Sequence, residues 1–237
     1  MVCDTLVYHP LVTKLVNFLD TTAGREKLLR LLQYLCRFLA VQQGSVLSRQ
    51  LQSQFTIVRK VLRFLKPLNH LQTASKVYDQ KLIGDSIIRG LTIVKNLCYA
   101  GYLTLDQINL LRLFNLVPVT QFTGKKVPRY TNWFWFFGLV SGLLLDLRNI
   151  QISNVKLQEV KESNEDEMTK EKQKDFIKAT YKEKFVATRR LLWDSTDMFI
   201  VLNNLGYLSN REQNVALAGV VTSLLGLKDM WKATKST

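Results

Sequence analysis

Cysteine, histidine and proline are scarce in this 237-residue chain, and each scarcity excludes something. The three cysteines, Cys3, Cys36 and Cys98, stand far apart and form no Cys-x-x-Cys pair, which argues against a zinc module and a disulfide framework. Cys36 and Cys98 read as small apolar residues, and Cys3 as a reduced thiol near the N-terminus. The two histidines, His9 and His70, offer little material for acid–base chemistry, and His70 reads as a surface or helix-cap residue. Four prolines against 40 leucines disfavour an all-β sandwich, which needs frequent Gly and Pro turns. No GxSxG, HExxH or GxGxxG motif occurs, and Gly124-Lys125 lacks the flanking residues of a phosphate loop. Carboxylates outside 156–175 are few and scattered, so no catalytic, cofactor-binding or metal-binding residue is assigned. The sequence does not support an enzyme.

Negative charge is also missing where it would be expected. No Asp or Glu lies between Lys27 and Tyr78, a stretch with nine Lys or Arg. The formal net charge is +14, and positions 1–150 carry 19 basic against 7 acidic residues, while 151–237 carry 14 against 12. A stretch of this kind attracts a polyanion, either nucleic acid or an anionic lipid surface. The N-terminus MVCDTLVYHP has no basic-then-apolar pattern, so a secretory signal is not expected, and the C-terminal KATKST matches no organelle address.

What is present is helical periodicity. Pro10 opens a first helical pattern, and the segment REKLLRLLQYLCRFLAV forms a second that is apolar around most of its circumference. After Gly44-Ser45 comes the most informative segment, 47–66. Its apolar residues Leu47, Leu51, Phe55, Val58, Val61, Leu62 and Leu65 share one side of a helical wheel. Arg49, Arg59, Lys60, Arg63 and Lys66 share the other, with no anion among them, and Pro67 is the expected stop. That is the profile of a helix lying in a membrane interface, its apolar face among acyl chains and its cations on anionic phospholipid. A core-packed surface helix would show the same period, and a nucleic-acid-binding helix the same basic face. The absence of a recognisable reading module counts against nucleic acid.

Further along, Asp85-Ser86 and Thr104-Leu105-Asp106 read as caps of two more helices. The uncharged run NWFWFFGLVSGLLL, within 131–147, opens with aromatics and contains Gly138-x-x-x-Gly142, a spacing that permits close helix–helix contact. It is short for a bilayer span, which takes about 20 apolar residues. Residues 156–175 hold seven acids and five lysines and read as a flexible charged linker, with Ser163 as a possible phosphosite. Beyond it, 176–237 reads as an apolar helical hairpin turning near Ser209-Asn210-Arg211-Glu212. The expected fold is all-α: a membrane-associated helical bundle with an N-terminal region 1–150, a linker 151–175 and the C-terminal hairpin.

The blocks TTAGREKLLRLLQYLCRFLA, RFLKPLNHL, GKKVPRYTNWFWFFGLVSGLLLDLR, RRLLWDSTDMFIVLNNLGYLS and GVVTSLLGLKDMWKAT resemble the fungal peroxin eleven family of peroxisomal membrane proteins, in the family's order along nearly the whole chain. The resemblance implies location in the peroxisomal membrane, elongation of that membrane before fission, homo-oligomers, and partnership with a dynamin-like GTPase and its adaptors. It also implies an alternative, a membrane channel for small metabolites. The family's membrane-sculpting amphipathic helix maps onto 47–66.

Overall fold

The computed structural model describes residues 7, 9–79, 84–162 and 167–235, with the backbone alone at 161, 162 and 167–172. Most of the described residues lie in eight α-helices, and no strand occurs among them. Local chemistry sets most of their ends. The His9 ring accepts a hydrogen bond from the Leu11 amide, and Pro10 opens α1 (Pro10–Asp20) where its missing N–H costs nothing. Thr21 caps α2 (Thr22–Gln43), which stops at Gly44 in the left-handed region, φ 64°. Ser45 then caps α3 (Val46–Leu62) through the Ser48 amide.

Pro67 does not stop the basic helix. The chain turns at 63–65, and Pro67 is the second residue of α4 (Lys66–Asp79), a position that needs no amide donor. Asp85 caps α5 (Ser86–Leu113), accepting from the Ile87 and Ile88 amides. The second expected cap, at 104–106, is absorbed into that continuous helix. A short π-helical turn, Phe122–Lys126, leads into α6 (Val127–Glu162). The segment expected to be a flexible linker is helical over 151–162 and 167–175, extending α6 and opening α7 (Glu167–Leu205). Its residues are rich in Glu, Lys and Gln and include no Gly or Pro, so helix propensity prevails without an apolar face. Lys156–Glu183 and a Gln173 hydrogen bond to the Val160 carbonyl link the two arms. The turn at 206–211, with Gly206 at φ 85°, precedes α8 (Glu212–Ala233).

The helices close into a ring. Going round, α3 touches α2, α2 touches α8, α8 touches α7, α7 lies along α6, α6 along α5, and α5 returns to α3. Helix α4 packs outside against α5. The apolar centre is small: Tyr34, Ile200 and Val215, with Trp135, Phe199, Ala218 and Val220 packed on them. Gly219 lies directly under the Tyr34 ring, where any Cβ would collide with it. Asp146, Thr180, Thr222 and Ser223 are as fully buried as Leu139 and Ile200.

Candidate membrane face and polar interior

Helix α3 is oriented with its charge inward. Arg59 is only 8% exposed and binds Glu26 of α2 through Nη2 at 2.7 Å and Nε at 3.1 Å, and its other nitrogen reaches Gln33. Lys60 and Arg63 share Asp106 of α5, one on each carboxylate oxygen, at 2.7 and 2.8 Å. Arg63 also donates to the Tyr102 hydroxyl at 3.1 Å. Arg49 sits at the rim and pairs with Glu212 at 2.7 Å, which Arg37 holds as well. Lys66 lines the interior at the start of α4. The expectation of lipid headgroups as partners for Arg59, Lys60 and Arg63 therefore meets a different arrangement. Carboxylates far away in sequence satisfy these cations, because a buried charge is tolerated only when paired.

The apolar side of α3 faces outward. Leu47 is 65% exposed, and Leu51, Val58 and Val61 follow it along one ridge, while Phe55 and Leu62 are half-buried on its flanks. Leu65 ends the ridge at φ 60°, in the left-handed region, and is 56% exposed. A leucine there costs about 1–2 kcal/mol, and its side chain is more exposed than buried. Outward apolar stripes recur on the neighbouring elements, at Leu68 and Leu71 on α4, Val94 and Leu97 on α5, Phe134 and Phe137 on α6, and Leu217, Val221 and Leu224 on α8. Exposed apolar surface on this scale marks a membrane or interaction face. No helix among the described residues is long and apolar enough to cross a membrane.

Gly138 and Gly142 both face helices of the same chain. Gly138 lies against Cys98 and Tyr99 of α5. Gly142 makes room for the pair Lys95–Asp194, 3.3 Å apart, which bridges α5 and α7 over the face of α6, and a Cβ there would strike both side chains. Ser163 and Cys3 lie outside the described residues. His70 hydrogen-bonds Asn96 through Nδ1 at 3.0 Å and stacks on Tyr99.

Inside the ring is a cavity of about 640 Å³ lined by charged and aromatic side chains from α2 to α8. Arg30 crosses it to Asp197, with Nη2 2.6 Å from Oδ1 and 2.9 Å from the Thr222 hydroxyl, while Trp193 donates to the other oxygen at 3.2 Å. Burial raises the Glu26 carboxyl, but Arg59, Lys27 and Arg63 outweigh it and hold the group at about 2. Burial and the neighbouring Arg30 push Lys27 down to about 8. On the far side of α6, burial lifts Asp146 to about 6, and its Oδ2 has no hydrogen-bond partner. Sequence reasoning missed the acids that organise this interior: Glu26, Asp106, Asp194 and Asp197. The available signal was a lone carboxylate inside an apolar helical pattern, which is costly unless a cation lies opposite.

Comparison with known proteins agrees with the resemblance seen in the sequence. The family model for peroxisomal biogenesis factor 11 matches residues 12–231. The peroxisomal membrane protein PMP27 of Saccharomyces cerevisiae is 60% identical over 238 residues, covering 99% of this chain and all of that protein. The peroxisomal membrane protein PMP30B of Candida boidinii is 36% identical over 258 residues, covering both chains completely. Peroxisomal biogenesis factor 11 of Schizosaccharomyces pombe is 23% identical, covering 94% of this chain and 96% of that one. No solved structure matches the chain. With the family model spanning nearly its whole length, this chain belongs to the peroxisomal biogenesis factor 11 family and is a peroxisomal membrane protein.

Proposed function

We propose that the protein elongates the peroxisomal membrane before fission by seating its apolar shell, α3 foremost, in one leaflet. The carrying observation is the outward ridge Leu47–Leu51–Val58–Val61 on a helix whose cations are turned inward, continued by Leu65 in the turn that follows. Burying five such side chains, each about half exposed already, stabilises the bound state by about 5 kcal/mol. A helix sunk about 5–10 Å into one leaflet expands that leaflet and favours positive curvature. The cations of α3 hold the protein together, and attraction to anionic phospholipid comes from the net charge of +14 as a whole. One wedge bends little membrane, so copies act together as a homo-oligomer. A dynamin-like GTPase and its adaptors complete the scission in this reading.

The test is tubulation of anionic vesicles by the full chain carrying Leu47→Glu, Leu51→Glu and Val58→Glu. The triple variant is expected to keep its helical melt and self-association and to lose tubulation. Normal tubulation would overturn the wedge. A second reading, a passage for small metabolites, is favoured by the charged cavity inside the ring. It predicts conductance in planar bilayers that the triple variant retains once inserted.

A further inference from the structure

The charges around the cavity do not balance, and the imbalance is local. Eight Lys and Arg side chains line the cavity against five carboxylates, a surplus of three; Asp194 and Asp229 pair with Lys95 and Arg189, and the other three carboxylates, Glu26, Asp106 and Asp197, face Lys27, Arg30, Arg59, Lys60, Arg63 and Lys66. Those carboxylates are already committed. Glu26 holds Arg59, Asp106 holds both Lys60 and Arg63, and Asp197 holds Arg30 and the Trp193 N–H. Lys27 and Lys66 make no ion pair within 4 Å among the described residues, although Glu26 and Asp197 lie near enough to act on Lys27. The Lys27 ammonium rests 5.0 Å from the centre of the Trp193 ring instead. Arg30, 9% exposed, has a buried Nε without a hydrogen-bond partner.

Unpaired cations in a confined space repel one another. Burial lowers Lys27 most, Arg30 lowers it further and Lys66 adds to the effect, more than Glu26 and Asp197 offset. Such a site is destabilised when empty and relieved by an anion. A monovalent carboxylate would leave two of the three surplus charges uncompensated. A phosphate group brings up to two charges and several acceptor oxygens to the ammoniums and the free guanidinium N–H.

We infer that the cavity binds a phosphate group, held by Lys27, Lys66 and the Nε of Arg30. The phosphate has two possible sources: a small soluble phosphate compound, or the headgroup of an anionic phospholipid entering between the ring helices. The site is independent of how α3 sits in a membrane, so it stands or falls separately from the wedge.

The test uses the full chain in a neutral maltoside detergent, free of phosphate, with sodium pyrophosphate titrated by calorimetry against sodium chloride of equal ionic strength. Saturable binding near one per chain, with a rise in melting temperature, is the expected result. Lys27→Met with Lys66→Met is expected to weaken binding by at least about tenfold, since each hydrogen bond to a charged group is lost. The same double variant is expected to melt no lower than the parent when empty, because like charges have been removed. Lys27→Arg keeps the charge and is expected to keep binding, which separates loss of the site from loss of the fold. Dihexanoyl phosphatidic acid below its micellar concentration identifies the source. Competition tighter than pyrophosphate assigns a lipid headgroup, and failure to compete assigns a soluble phosphate. Non-saturable heat, or equal affinity in the double variant, would overturn the inference.

Discussion

Replacing Arg59 with methionine removes a guanidinium from the interior and leaves the Glu26 carboxylate, 6% exposed, without its principal partner. Glu26 is held at about 2 against an ordinary 4.5, chiefly by Arg59 working against burial. That depression corresponds to about 3 kcal/mol of folding stability at neutral pH. Breaking one side of a buried pair has a similar typical cost, about 3–5 kcal/mol. Because the folded carboxyl is depressed, its contribution is present above pH 4.5 and is lost as pH falls towards 2. Arg59→Met is therefore expected to lower the unfolding free energy by about 3 kcal/mol at pH 7, with a smaller deficit at pH 3. The double variant with Glu26→Gln is expected to recover most of the loss, since the orphaned charge is gone. Chemical unfolding in detergent, followed by helical circular dichroism, reads all three proteins. If Arg59→Met stayed within about 0.5 kcal/mol of the parent while binding anionic vesicles more weakly, the inward assignment of this cation would be refuted.

Two other positions give equally direct tests. Asp146 is pushed up to about 6 by burial first and by Asp194, against the pull of Lys95, so its ionised form costs stability above pH 6 and nothing below pH 3.8. Asp146→Asn is expected to raise the urea midpoint at pH 7.5, with the gain gone by pH 4; a pH-independent change would refute it. Leu65 sits at φ 60°, so Leu65→Asn, which tolerates that backbone, is expected to stabilise the detergent-solubilised protein by about 1 kcal/mol. The same variant is expected to bind vesicles less tightly, and destabilisation would show that the side chain is needed inside the protein.

The helices were largely legible because each has its own local signals. The 3.6-residue period, Pro10 at a first turn, the Gly44-Ser45 break and the Asp85 cap all act over a few residues. Local reasoning failed where two local signals competed. Pro67 suits the first turn of a helix as well as the end of one, and the turn at 63–65 decides between them. The charged run at 151–175 lacks an apolar stripe but has good helix formers throughout, and it continues two long helices that already pack together.

Sidedness was the part the sequence left open. Periodicity alone determined that the helix at 47–66 has one apolar and one basic face and that the chain is all-α, while the resemblance of long ordered blocks pointed to a peroxisomal membrane family. It could not say which face turns inward, because amphipathicity is symmetric with respect to inside and outside. That was decided by partners distant in the chain: Glu26 opposite Arg59, Asp106 opposite Lys60 and Arg63, and Asp197 opposite Arg30. Only the closed ring of helices brings these groups within 3 Å of each other, and once paired inside, their charges leave the leucines and valines to face outward.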